Sequence, residues 1–549
     1  KVVPIVNLLG HTQYLIKVPQ LRDLNELRAA DGSPLERGQI CPLHPRTLEV
    51  AEKLLRDMAP FCTAGKVHVG LDESFQLGKH PLSQREIARI GLAAHFAGYV
   101  KRLYDVVDSL GLKMGMWADM LYFVPDAIPL LPKGITAYEW YYYSFRRMPR
   151  VELFNSAEVD ISTPLRQQGL RLYGCPMNGA FRHEPLPTFT DRMNNILAWW
   201  RHTGRVGAEG FLVSSWEPYR LALELTTAVD AAAATLWLEP KIREPREMLA
   251  RGFERLFGKR GRAAADIALA CDRYPFAGYP RWEINQRWDT CSPRESLQPF
   301  RQEMFFFTNL ARVATRRRLP VSLRASVQFR QNLAERDLYV RTLAREQGAS
   351  KPRRALIKNT SAKLLAATTS GLRAARTMWR RTRDPRNRGQ NEMMVLADRN
   401  RLRAWRHDEP AFGGQWKLCY AVWNFAPAAQ LVGIEQQQND GTWTTLQSCL
   451  TSEFQAIAAR PRGRMIREHA SPVVWDGDPT RMPRLRWFVG GVGEVKFGRV
   501  ALVGGERTYR WKSRSGRWLR LGFPAPPAGW PVMRTEANRD AVELHFERR

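Results

Sequence analysis

The sequence predicts an α/β protein: a (β/α)8 barrel of the TIM type, N-terminally incomplete in this chain, then a helical region and a C-terminal antiparallel β-sandwich. Three observations predict it. Between Lys1 and about Trp237, short apolar runs alternate with helix-patterned stretches, the rhythm of βα units. Residues suited to chemistry collect at the C-terminal ends of those runs, the edge where a barrel carries its site. From about Gly413 onward, short alternating segments are separated by turn signals such as Asn439-Asp440-Gly441. The expected organisation is a barrel domain over 1–238, a helical region over 239–412 and a sandwich over 413–549.

The apolar runs are VVPIVNLLGH from Val2, KVHVGLDE from Lys66, KMGMWADM from Lys113, ITAYEWYYY from Ile135, LRLYGCPM from Leu170 and GFLVSSWE from Gly210. Helix-patterned segments lie between them at Arg46 to Met58, Gln84 to Leu110 and Phe189 to His202, with a weaker one near Arg150, and Leu221 to Leu236 follows the last run. A closed barrel needs eight strands. The run count and a chain that opens inside a strand lead to the expectation that two βα units are missing at the N-terminus; the alternative is another α/β fold. No glycine-rich phosphate loop follows the first run, which argues against a dinucleotide-binding sheet. Beyond Glu239, REMLARGFERLFG and QPFRQEMFFFTNLARVATRRRL have helical spacing.

Composition narrows the function classes. With 549 residues and 44% hydrophobic content the chain can bury several cores, and no apolar run is long enough to span a bilayer. The net charge is +30. Such a balance attracts anionic partners, or it reflects arginines spread over solvated faces. The basic residues are scattered, and the densest segment, Lys351 to Arg388, has a helical stripe of Leu364, Leu365, Leu372 and Trp379 and no nucleic-acid motif beyond charge. No specific nucleic-acid partner is expected. Seven cysteines contain no CxxC pair, so neither zinc nor redox chemistry is indicated, and no metal or cofactor is expected. No targeting signal is visible in the chain, and no compartment follows from it.

The most informative stretch is VHVGLDESFQLG, Val67 to Gly78. Adjacent residues in mid-strand point to opposite faces, so Asp72 and Glu73 can share a pocket only where the strand ends and the backbone turns. Two carboxylates held together disfavour joint ionisation, and a proton donor beside a carboxylate can cleave a glycosidic bond. Acids at a helix N-terminus, favoured by the macrodipole, are the competing reading.

VHVGLDESFQLG resembles the His-(Ile/Val)-Gly-x-Asp-Glu signature of glycoside hydrolase family 20, the β-N-acetylhexosaminidases. VVPIVNLLGHTQYLIKVPQLRDLNE is similar to the family's Pro-then-Gly-His strand and loop, MGMWADML to its Trp-x-Asp strand end, AYEWYYY to its Trp-x-Tyr strand and SSWEPY to its last strand's Trp. The resemblance runs from Val2 to Trp237. It implies a retaining exo-β-N-acetylhexosaminidase that works by substrate assistance on terminal N-acetylglucosamine or N-acetylgalactosamine. Asp72 would orient the 2-acetamido group, Glu73 would act as acid and base, and Tyr142 would bond the acetamido oxygen, with Tyr141 one register step away. Trp117, Trp140 and Trp216 would wall the pocket, Asp119 and Glu217 would accept from sugar hydroxyls, and His11 would support the acid pair. Each has a plainer reading: tryptophans at strand ends pack cores, and Asp119 can cap the next segment. His68, inside the strand, is expected as a hydrogen-bonded core histidine. The family's sugar-holding Arg on an early strand has no counterpart here, and Leu71 stands where Gly is commoner. The alternatives are an inactive relative that binds carbohydrate, and a basic protein that binds anionic polysaccharide.

Overall fold

The computed structural model describes residues 1–29, 31–35, 38–151, 157–179, 186–216, 223–274, 296–347, 349, 351–384, 415–424, 431–437, 441–450, 455–460, 464–475, 480–490, 493–504, 507–511, 518–523 and 540–548. Five strands, β1 (Lys66–His68), β2 (Lys113–Trp117), β3 (Thr136–Trp140), β4 (Arg171–Cys175) and β5 (Gly210–Phe211), form one parallel sheet in chain order. Residues 4–9 extend it beyond β1: the Val6 amide donates to the His68 carbonyl at 2.8 Å and the Leu8 amide to the Val69 carbonyl at 3.1 Å. All the apolar runs of the first part of the chain therefore lie side by side in sequence order. A doubly wound sheet reverses direction at a switch point, whereas this one never does, which is the order of a barrel sector. Among the described residues its two outer edges do not pair with each other.

Strand alternation gives this sheet two different faces. Val67, Val69, Met114, Met116, Ala137 and Leu172 point outward into a core shared with Phe96, Val100, Leu103 and Val107 of the helix Leu92–Ser109. The intervening residues point the opposite way, and among them Trp117, Tyr138, Trp140 and Tyr173 pack together with Cys175. That inner face leads, at the C-terminal ends of the strands, to the acid pair.

Two local expectations are corrected. The weak helix near Arg150 is a short antiparallel pair, Arg150–Val151 with Ala157–Glu158. The stretch Gln84 to Leu110 is two helices, Pro81–Ile90 and Leu92–Ser109, because Gly91 between them has φ of 83°, a value no α-helix accommodates.

The following region is helical where it is described: Pro245–Phe257, Gly261–Cys271, Gln298–Arg316, Val321–Gln347 and Arg354–Thr382. It is not separate from the sheet. Phe189 and Met193 of the helix Phe189–Val206, and Leu225 and Val229 of Leu223–Leu238, share one apolar core with Phe253, Phe307 and Leu323. Leu364, Leu372 and Trp379 of the basic helix are buried, and its charges occupy the other face. Where it is described, the C-terminal part forms two antiparallel sheets. Trp416, Leu418 and Tyr420 of one and Ile434, Leu485 and Trp487 of the other meet in a common core. Among the described residues no helix is long and apolar enough to cross a membrane.

One contact ties the sheet to its covering helix. Trp199 is fully buried, its indole N–H donates to the Tyr141 carbonyl at 2.9 Å, and its ring lies over Gly174 on the outer face of β4. A Cβ at Gly174 would sit 2.2 Å from the ring. Gly174→Ala is expected to destabilise the protein by about 1–3 kcal/mol through overpacking, measured as a lowered urea midpoint with unchanged slope.

Candidate functional site

The exit of β1 is a tight turn. Gly70, Leu71 and Glu73 have φ of 72°, 78° and 48°, in the left-handed region. For a leucine and a glutamate that conformation costs about 1 kcal/mol or more each, and it persists only where the surroundings impose it. The buried Leu71 side chain, in the core with Val67 and Val69, supplies the offset. The imposed shape brings Asp72 and Glu73 out on the same side.

The loop after residues 4–9 fixes these acids from above. A Cβ at Gly10 would lie 1.8 Å from the Asp72 carbonyl oxygen, so only glycine lets the two turns approach this closely. His11, next to it and itself at φ of 55°, places Nε2 3.3 Å from Asp72 Oδ2 and 3.3 Å from Glu73 Oε2. Hydrogen bonds to Asp72 and then Glu73, outweighing its partial burial, raise the His11 pKa from 6.5 to about 10. His11 is therefore a cation at neutral pH and shares one N–H between two acceptors. From the next strand end, Asp119 Oδ2 accepts the Glu73 backbone N–H at 2.9 Å. Asp119 is buried, and burial together with the charge of Asp72 holds its carboxyl well above the usual range. Asp72 Oδ1 and Asp119 Oδ1 are both buried and make no hydrogen bond within the described residues. A buried carboxyl oxygen is expensive to leave unmatched, and the Trp140 indole beside Asp119 eases that cost on one of the two.

The aromatic residues stand beside this pair. Trp117 and Trp216 have ring centroids 6.0 Å apart. Trp140 and Tyr142 stack at 5.2 Å and 23°. The Trp216 indole N–H donates to the Tyr142 hydroxyl, which joins the two groups. Burial raises the Tyr142 phenol far above its usual range, so it remains a neutral hydroxyl. Tyr141 points the other way, against Phe145 and Trp199, and its carbonyl accepts from Asn195 Nδ2 at 3.0 Å. The backbone clamp by Asn195 and Trp199 is what sets this register. His68 lies below Trp117 at 4.6 Å. Its Nδ1 accepts from the Gly70 amide, and burial lowers its pKa to about 3, so it is a neutral core residue. Glu217 lies outside the described residues. Among the described residues no group of His, Cys, Asp and Glu side chains could hold a metal ion.

Sequence reasoning did not find Glu26. This fully buried residue accepts three successive backbone N–H groups, from Gly78 at 2.8 Å, Lys79 at 2.9 Å and His80 at 3.2 Å, as well as the Ser83 hydroxyl. It thereby holds the end of the acid-bearing loop at the start of the helix Pro81–Ile90. Gln39 assists by accepting the Gln76 amide. Both come from the long loop between residues 17 and 46, where nothing in the local pattern marks a buried carboxylate.

Residues 1–151 match the model of the glycosyl hydrolase family 20 catalytic domain. No curated protein matches the chain. Solved structures similar to it include an exo-β-N-acetylglucosaminidase of Vibrio harveyi in complex with N-acetylglucosamine (16% identity, TM-score 0.30, 49% of this chain and 43% of that one). A chitobiase of Flavobacterium johnsoniae shows 12% identity and a TM-score of 0.32, over 72% of this chain and 65% of that one. An O-GlcNAc hydrolase of Thermobaculum terrenum shows 13% identity and a TM-score of 0.34, over 67% and 78%. The chain thus spans less than half the length of the Vibrio protein.

The His11 clamp has a pH signature. Its folded pKa, about 10, exceeds the ordinary 6.5, so its contribution to stability is complete below pH 6.5 and is lost as pH rises through about 10. The side chain is part-exposed and screened, so His11→Gln is expected to lower the melting temperature by no more than about 2–4 °C at pH 6. By pH 10.5 the two proteins should melt together, as read by calorimetry across that range.

Proposed function

We propose that this chain, whose first 151 residues match the family 20 catalytic domain, belongs to a retaining exo-β-N-acetylhexosaminidase that uses the substrate's own acetamido group as nucleophile. The observation that carries the reading is the pair at the β1 exit: one buried carboxylate with an unmatched oxygen, Asp72, next to a more exposed one, Glu73. Two identical groups in unlike surroundings suit unlike tasks.

In this reading Asp72 Oδ1 accepts the acetamido N–H, turns the carbonyl oxygen toward the anomeric carbon and stabilises the positive charge that develops on nitrogen. The Tyr142 oxygen already accepts from Trp216, so its own hydrogen is available to the acetamido oxygen. Glu73, on the open side, protonates the glycosidic oxygen as the bond breaks and then takes a proton from the water that opens the oxazolinium ring. The His11 cation stabilises the carboxylate that Glu73 becomes. Asp119 holds the Glu73 backbone and offers Oδ1 to a sugar hydroxyl. Trp140 and Trp216 present indole faces on which the acetyl methyl and the apolar face of a pyranose pack, and Trp117, itself buried, backs Trp216.

The test is hydrolysis of an aryl 2-acetamido-2-deoxy-β-D-glucopyranoside. Glu73→Gln is expected to lower kcat by about 10²–10⁴-fold, and Asp72→Asn by a similar factor. The matching aryl β-D-glucopyranoside, which lacks the acetamido group, should not turn over. Undiminished turnover by Glu73→Gln, or equal hydrolysis of the two glycosides, would sink the proposal.

A further inference from the structure

A second concave site lies in the helical region. A cavity of about 750 Å³ opens where the end of the helix Pro245–Phe257 meets the turn between Gln298–Arg316 and Val321–Gln347. Arg260, Arg318, Arg324 and Arg381 line it, over apolar surface from Leu256, Phe257 and Leu319. Arg381 is neutralised by Glu224 through two hydrogen bonds. The other three have no carboxylate partner among the described residues. Arg260 Nη1 donates to the Arg318 carbonyl at 3.1 Å and Arg324 Nε to the Leu319 carbonyl at 2.9 Å, which anchors both guanidinium groups at the 318–319 turn. Arg318 itself has φ of 51°, a strained value that presents its side chain at the same turn.

On the helices Pro245–Phe257 and Gly261–Cys271, Arg246 pairs with Asp266, Arg251 with Glu247, and Arg262 with both Glu247 and Glu254. Around the cavity, by contrast, three of the four arginines lack a carboxylate partner among the described residues and face one hollow over an apolar floor. Three guanidinium groups held near one another repel, and their planar forks suit a tetrahedral oxyanion. The aromatic and aliphatic floor adds a surface for the apolar face of a sugar ring.

We infer that this cavity binds a carbohydrate carrying a sulfate or phosphate ester, with Arg260, Arg318 and Arg324 on the anion and Phe257 and Leu256 under the ring. The site is separate from the acid pair, and the inference stands whether or not the chain hydrolyses glycosides. Isothermal titration of the full chain tests it, with a heparin-derived tetrasaccharide, the same tetrasaccharide after desulfation, and glucose 6-phosphate. The sulfated or the phosphorylated sugar should bind at least about tenfold more tightly than the uncharged one, and which of them does so identifies the ester. Affinity should fall with added salt. Arg318→Ala combined with Arg324→Ala should lose at least about tenfold in affinity while its melting curve still shows a folded protein, whereas Arg246→Ala, outside the cavity, should leave binding as it was. Equal affinity for the desulfated sugar overturns the inference. So does binding untouched by the double substitution, or an equal loss with Arg246→Ala. Tighter, cavity-dependent binding of duplex DNA also overturns it, because the ligand class would then be wrong.

Discussion

The approach of the Gly10–His11 turn to the backbone of Asp72 is the constraint on which the candidate site depends. The Gly10 backbone lies where any side chain would strike the Asp72 carbonyl, and in that position the His11 ring reaches both carboxylates. The left-handed residues of the acid turn are held from three sides: by this contact, by Asp119 on the Glu73 amide, and by Glu26 further along the loop. Each hold comes from a different segment of chain. The parallel order of the strands brings those segments to one edge, so the geometry of two adjacent residues is a consequence of the whole sheet.

The same arrangement explains why three acidic groups can sit together. Asp72, Glu73 and Asp119 bring repulsion that would open the turn in isolation. The His11 cation offsets part of it, and burial keeps the Asp119 carboxyl from contributing a full charge. Asp72 Oδ1 and Asp119 Oδ1 have no hydrogen-bond partner among the described residues; in the proposed function they receive the N–H and O–H donors of the sugar. The aromatic residues beside the acids lower the local polarity on that side, which strengthens polar contacts made there.

Much of this was legible in the sequence, for identifiable reasons. Parallel strands buried on both faces read as apolar runs, and each run indeed joins the sheet. The inner-face aromatics follow from period-two alternation once a single register is known, and Trp117, Trp140, Tyr142 and Trp216 do come together. Other features depend on long-range contacts and leave no local mark. Nothing near Glu26 announces that it will receive three amides from a loop more than fifty residues away. Asp119 reads as a cap or a sugar ligand, whereas its first partner is the backbone of Glu73. The break at Gly91 was hidden because the apolar pattern continues through it, and backbone conformation overrides pattern there.

In the proposed function the Gly10 contact shapes the Asp72–Glu73 turn into a binding site for the cyclised acetamido group. The most direct measurement is the affinity of a stable sugar-fused thiazoline, which mimics that cyclised intermediate, for the native chain and for Gly10→Ala. The account predicts that the native chain binds the mimic far more tightly than N-acetylglucosamine. It also predicts that Gly10→Ala loses about 10²-fold or more of that affinity while its melting curve shows a folded protein. Equal binding of the mimic by both proteins, or no preference for it over the simple sugar, would contradict the account.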